Sequence, residues 1–376
     1  MRRKVTKLFR WIWPYVLLTA CVERIYFEIP PAQDQLVIEG SITTDLGPYE
    51  VKISTALNLD ADSTAQSPVS GAQVTLFDDQ GNVEDLVATD AGVYRTTGII
   101  RGEVGRSYSI RVTLADGNVF ESEPDMLYPV GEVTEIHHEF EARTVEKPYG
   151  TVAANVFNIY VDADAGLREE NYVRWKFNGT YKVVTYPELY MRHVPPYRPW
   201  KDPWPCSGYI LVGGPEGSGG ILLQVDTCEC CTCWVRQNES IPQVSDNQLV
   251  KGNSFKRVKV GEVPITNATF HEKYLVEVEQ YSLSRGAFEF FQLVKDQKVN
   301  AASLFQPPLG EIRGNIKAVN NTQAVVGIFW ASAVARKSIY LLPSDVPYPV
   351  VPIDFITLPC YDFYDNATSI KPANWE

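Results

Sequence analysis

The chain has 376 residues, of which 45% are apolar and 12% aromatic, and its formal charge is −12. That is length enough for two ordinary domains and apolar material enough to give each a core. The acidic balance repels phosphate backbones and sets nucleic acid aside as a partner.

Residues 1–20 read as a secretory leader. Arg2, Arg3, Lys4, Lys7 and Arg10 form a basic start, and Trp11 to Leu18 is a short apolar run. The run is too short to span a bilayer as a helix, which needs about 20 residues. It ends in Leu17-Leu18-Thr19-Ala20-Cys21. Leu-x-Ala-Cys resembles a bacterial lipobox, which implies that Cys21 is lipidated and becomes the first residue of the mature chain. Loss of the leader removes five basic residues and leaves a mature charge of −17. The expected protein is a globule held to a membrane by its N-terminal lipid.

Residues 21–33 form a tether carrying Pro30-Pro31. Residues 34–128 then alternate short β runs with turn residues. Leu36–Ile42, Tyr49–Ser54, Ala72–Phe77, Val83–Ala88, Val93–Thr96, Tyr108–Leu114 and Val119–Phe120 read as strands. Asp116-Gly117 is a hairpin signal. About seven strands in roughly 90 residues point to an immunoglobulin-like sandwich. Gly71–Leu76 and Asp90–Tyr94 resemble the prealbumin-like regulatory domains attached to carboxypeptidases and outer-membrane receptors, which implies a non-catalytic module.

Residues 129–376 stay β-rich with longer segments, giving an expected larger β-sandwich with one amphipathic helix. Asn155–Val161 and Tyr172–Phe177 are strands separated by the turn Asp162–Gly166. Asp162-x-Asp164-x-Gly166 has the opening spacing of a calcium loop, but Leu167 and Arg168 interrupt the ligand pattern, so no metal is assigned. Residues 187–220 form a proline- and aromatic-rich loop. Its Tyr190, Tyr197, Trp200 and Trp204 either grip a partner or pack down on the sandwich. The glycine run after it lacks the Lys-Ser/Thr ending of a phosphate loop.

Residues 228–233 hold Cys228, Cys230, Cys231 and Cys233, with Cys206 before them and Cys360 after. In an exported chain six cysteines indicate disulfides, and 15 pairings are open. The two Cys-x-x-Cys pairs overlap in one hexapeptide, unlike a zinc site drawn from separate turns. A redox site would want a βαβ context. Phe255–Val260 and Tyr274–Tyr281 are further strands. The period then changes over about 284–299, where Ala287, Phe290, Phe291 and Val294 share a face behind an N-capping serine. Gly310–Ile316 and Val325–Ser332 read as late strands.

The order of several weak motifs is specific. It runs through the lipobox, Leu36–Gly40, Ala165-Gly166 with Glu170–Trp175, Tyr274–Val278 leading into Ser282–Ser284, then Ser303–Phe305, Gly314–Ile316 and Gly327–Ser332. Together they resemble a family of uncharacterised Bacteroidota-type envelope lipoproteins known only as a domain of unknown function. The resemblance implies a place beside TonB-dependent outer-membrane receptors and an accessory role in uptake. It implies no catalytic residue and no cofactor. His-Glu-x-x-His and Gly-x-Ser-x-Gly are both missing from the sequence, and four histidines leave few bases for a triad, so an envelope hydrolase is disfavoured. A cell-surface adhesin or structural module is the alternative. The face of the outer membrane stays open, since Val22-Glu23-Arg24 sets one acid beside one base.

Overall fold

A computed structural model describes residues 35–56, 67–166, 168–196, 198–213, 220–247, 250, 253–300, 314–350 and 355–375. The leader, Cys21, the tether and Tyr197 lie outside the described residues. The described chain is mostly β, in packed sheets with few helices.

The first sandwich follows from period-2 patterning. Strand Gln35–Thr43 buries Leu36, Ile38 and Ile42, and strand Ser107–Thr113 buries Tyr108, Ile110 and Val112. One sheet carries Gln35–Thr43, Glu50–Ala56, Val93–Arg95 and Val87–Asp90 in that order; the other carries Val119–Ser122, Ser107–Thr113, Gln73–Asp78 and Val83–Asp85. The Asp116-Gly117 turn closes as expected, with Gly117 at φ +88° and the Leu114 amide donating to Asn118 O at 2.8 Å.

Each sheet is completed from far along the sequence. Ile316–Ala318 pairs with Val119–Ser122, and Val325–Ser332 pairs in parallel with Gln35–Thr43 from Leu36/Val325 to Thr43/Ser332. Ile316, Phe329 and Ala331 share the core of Ile38, Tyr94 and Phe120. These returning strands lie within the stretch that the sequence assigns to the second part. Gly327 makes the parallel approach possible. Its φ is +130°, and a Cβ there would sit 1.8 Å from Ile38 O.

The second unit packs a three-stranded sheet (Val133–Glu141, Val156–Asp164, Ser254–Pro264) on a six-stranded one centred on Tyr172–Val184 and Tyr274–Leu283. Phe157, Ile159 and Val161 meet Trp175, Phe177, Val276 and Val278 between them. The strand Val156–Asp164 runs through Asp162 and Asp164, where the sequence reads as a turn. Both carboxylates fall on its polar alternate positions, while Val161 and Ala163 are buried. The helix, α1, is Arg285–Asn300. Ser284 caps it, accepting from the Ala287 amide at 3.1 Å, and Ala287, Phe290 and Phe291 are buried as the periodicity predicts.

Candidate functional site

The two units meet at a corner where Val325–Ser332 of the first sandwich passes through Ala333 into Val334–Leu341 of the six-stranded sheet. Polar contacts fix that corner. The Ala333 amide donates to Ser282 Oγ at 2.9 Å, and Ser282 Oγ donates to Tyr128 O at 2.5 Å. The Ala331 amide donates to Asp125 Oδ2 at 2.8 Å. Arg336 bridges Asp45 and Glu279, with Nη1 to Oδ1 at 2.7 Å and Nε to Oε1 at 2.8 Å.

A cleft of about 760 Å³ opens at this corner. Glu39, Glu50 and Lys52 line it from the solvent face of the first sandwich, and Arg174 and Lys176 from the six-stranded sheet. Tyr281 and Trp330 also line it, 5.3 Å apart and in edge-to-face contact. The helix holds this part in place. Phe291 packs edge-on against Trp330 at 5.3 Å, and the Arg174 guanidinium stacks over Phe291 at 4.5 Å. Arg174 is ion-paired to Glu239. Burial pushes the Glu239 carboxyl above the usual carboxylate range even with that guanidinium alongside. Arg174 Nε and Glu239 Oε2 are buried without hydrogen-bond partners among the described residues. Lys52 pairs with Glu50 at 3.0 Å and Lys176 with Glu279 at 3.8 Å, so the walls offer both charge signs and little net charge.

The cysteines build a second feature, a stapled cap. Cys206 bonds Cys230, Cys228 bonds Cys231, and Cys233 bonds Cys360, so all six pair. The geometry thereby chooses one of the 15 pairings that the sequence left open. Cys230, Cys233 and Cys360 are fully buried. The Cys233–Cys360 bond closes a sequence separation of 127 residues and the Cys228–Cys231 bond one of 3. Replacing Cys233 and Cys360 with alanine is expected to lower stability by about 4–5 kcal/mol, and replacing Cys228 and Cys231 by about 2 kcal/mol, if loop-closure entropy dominates. Urea unfolding of the two double variants checks that order.

Over 187–220 and just beyond, the described chain is not one long loop. Met191–Arg192 pairs with Trp200–Lys201, and Tyr209–Val212 with Ile221–Gln224. Tyr190, Trp200 and Trp204 are half-buried. The structure brings Tyr190 and Trp204 together, with ring centres 5.5 Å apart, and places Trp200 on the neighbouring short strand. The Trp204 indole Nε1 is buried without a partner among the described residues. These aromatics are thus partly packed and partly available.

Asp162 belongs to a different cluster from the one its spacing suggests. Glu135, His137 and Asp162 lie within 4.8 Å of one another and could ligate a cation. Lys256 Nζ already sits 3.0 Å from Asp162 Oδ2, and the Arg257 amide donates to Oδ1 at 2.8 Å, so that carboxylate is neutralised from within. His138 packs on Phe157 at 5.2 Å.

The family described as a domain of unknown function, DUF4249, matches residues 22–338. The chain belongs to that family. No curated protein matches it. The match runs from the start of the tether into Val334–Leu341, so in this DUF4249 chain it takes in the corner and every cysteine of the cap except Cys360. Among the described residues no helix is long and apolar enough to cross a membrane.

Sequence reasoning singled out the cysteines and the aromatic loop but missed Arg174, Lys176, Tyr281 and Trp330. In the sequence these are ordinary positions of alternating strands. Only the return of Val325–Ser332 to the first sheet brings them to one cleft.

Proposed function

We propose that this DUF4249 protein is a lipid-anchored outer-membrane lipoprotein, acylated at Cys21, that works as a non-catalytic binding subunit beside a TonB-dependent receptor in nutrient uptake. The observation that carries the reading is the corner cleft. It is pre-formed, since hydrogen bonds and ion pairs fix both walls before any ligand arrives. It offers aromatic surface with guanidinium, ammonium and carboxylate groups, a set suited to holding a small polar ligand. The leader, the lipobox and the family resemblance supply the membrane and receptor parts of the reading.

The test is co-purification from detergent-solubilised outer membranes through a C-terminal tag. A large β-barrel receptor in near-stoichiometric amount is the expected result. Recovery of the protein alone removes the receptor from the reading and turns attention to an independent adhesin. Arg174→Gln and Lys176→Gln, introduced singly, are expected to weaken binding of the transported ligand about tenfold or more, as loss of a charged hydrogen-bonding group does. Lys176→Gln is the cleaner variant, because Arg174 also supports the fold through Phe291 and Glu239.

A further inference from the structure

Among the described residues, the antiparallel pair Tyr209–Val212 and Ile221–Gln224 joins no larger sheet. Its register sets Ile210 opposite Leu223 and Val212 opposite Ile221. Alternation then places all four side chains on one face. They are exposed by 46%, 51%, 46% and 75% respectively, and Val225 just beyond by 58%. The root of the hairpin is held firmly. Cys206–Cys230 and Cys228–Cys231 staple it, and the Val225 and Glu229 amides donate to Gly208 O and Cys206 O, both at 2.9 Å. Tyr209 and Trp204 flank that root, half-buried.

We propose that this hairpin is a lipid-surface foothold: its apolar face lies in the headgroup–acyl boundary of the bilayer that carries the protein. The inference rests on the lipid anchor of the preceding section. Between Ser207 and Val225 the sequence carries one charged residue, Glu216, in a mature chain of net charge −17. The occupant is therefore apolar and does not need to be basic. Four side chains on two short strands fall well short of the roughly 800 Å² per partner of a stable protein interface. A weak apolar contact is enough for a body that is already tethered, because the tether supplies the effective concentration. Cys21 precedes Gln35 by 14 residues, a reach of at most about 50 Å, comparable with the diameter of a globule of this length. Aromatic residues at the root match the preference of Trp and Tyr for the membrane interface.

The experiment uses the lipidated chain reconstituted in zwitterionic phosphatidylcholine vesicles, with and without brominated acyl chains. Tryptophan quenching is compared between wild type and Ile210→Glu/Leu223→Glu. Both substitutions fall on exposed positions, and an unchanged thermal midpoint checks the fold. Quenching in wild type that falls at least threefold in the hairpin variant is expected. Leu46→Glu/Ile99→Glu, at exposed apolar positions of the first sandwich, is expected to leave quenching unchanged. Equal quenching in wild type and hairpin variant, or an equal loss in the Leu46/Ile99 variant, overturns the proposal. So does loss of self-association or of receptor co-purification in the hairpin variant with quenching intact, which would make the occupant a protein. Mass spectrometry of the Cys21 peptide reads the anchor separately. If Cys21 carries no lipid, the anchor reading fails and takes the foothold with it; lipid on Cys21 with equal quenching in wild type and hairpin variant overturns the foothold alone.

Discussion

Residues 34–128 expressed by themselves are expected to show no cooperative unfolding transition, whereas the same segment joined through a short Gly/Ser linker to residues 314–333 is expected to fold. The segment has the strands of a sandwich but lacks its parallel edge. Without Val325–Ser332, the strand Gln35–Thr43 loses its partner from Leu36 to Thr43. Phe329, 2% exposed, and Ala331, fully buried, vanish from the core that contains Leu36, Ile38 and Phe120. The second sheet loses Ile316 opposite Ser122. Removing one buried phenylalanine side chain costs about 3–5 kcal/mol. A domain has only about 5–15 kcal/mol in total. Circular dichroism against urea for the two polypeptides decides the matter, and a cooperative transition in 34–128 alone would show that the return strands are an addition to a complete fold. In the intact chain Phe329→Ala is expected to lower stability by about 3–5 kcal/mol on the same reasoning.

Glu84→Ala is expected to be the most damaging exchange of a polar side chain in the first sandwich, at about 3–5 kcal/mol. Glu84 lies on the edge strand Val83–Asp85 and is 1% exposed. Its carboxylate accepts from Thr97 Oγ1 at 2.9 Å, from Gly98 N at 2.9 Å and from Ile100 N at 2.7 Å, and also from the Thr97 amide. Those donors belong to the crossover from one sheet to the other, so one side chain fixes the turn that lets the sandwich close. Alanine leaves several buried amides unpaired. Burial by itself would raise the Glu84 pKa, but the hydrogen bonds from Ile100 and Thr97 outweigh it and hold the carboxyl below its usual range. With a folded pKa below the unfolded one, the contribution is present above the ordinary glutamate range. It is lost as pH falls from there through the folded value. Urea midpoints of wild type are therefore expected to drop below about pH 4, while those of Glu84→Gln drop less over the same window. A variant with the full acid sensitivity of wild type would assign that sensitivity to other carboxylates.

Asp125 works in the opposite sense at the corner. It is 7% exposed and accepts from the Ala331 amide, and burial pushes its pKa up against the hydrogen bonds from Ser284 and Ala331. Its ionised form is the disfavoured one, so this group gives stability at acid pH that is lost as pH rises through its folded pKa. Neutral Asn at this position is expected to hold the Ala331 contact with little change at pH 7, whereas Ala is expected to cost about 1–3 kcal/mol by leaving that amide unpaired. Thermal midpoints of Asp125→Asn and Asp125→Ala check the contrast.

The sequence by itself determined what depends on near neighbours. Alternation at Leu36–Ile42 and Tyr108–Leu114, the Asp116-Gly117 turn, the late strand Val325–Ser332 and the Ser284-capped helix with its aromatic face all stand where the pattern puts them, because side-chain period and turn chemistry are local. The parity of the cysteines, too, pointed to disulfides. Tertiary structure decided the rest. Nothing local to Gln35–Thr43 says that its parallel partner starts at Val325. That pairing is selected by burial of Phe329 and Ala331 and by the room that Gly327 leaves beside Ile38. Cysteine pairing depends on which chain segments the cap brings within bonding reach, and spacing does not encode that. The cleft exists only where two sheets share one chain at Ala333, so its residues carry no signature in their own neighbourhoods. Residues 209–212 fall inside the loop that the sequence reads over 187–220, yet Tyr209–Val212 and Ile221–Gln224 form a strand pair. One face of the pair, Ile210, Val212, Ile221 and Leu223, is exposed, since among the described residues the pair joins no larger sheet.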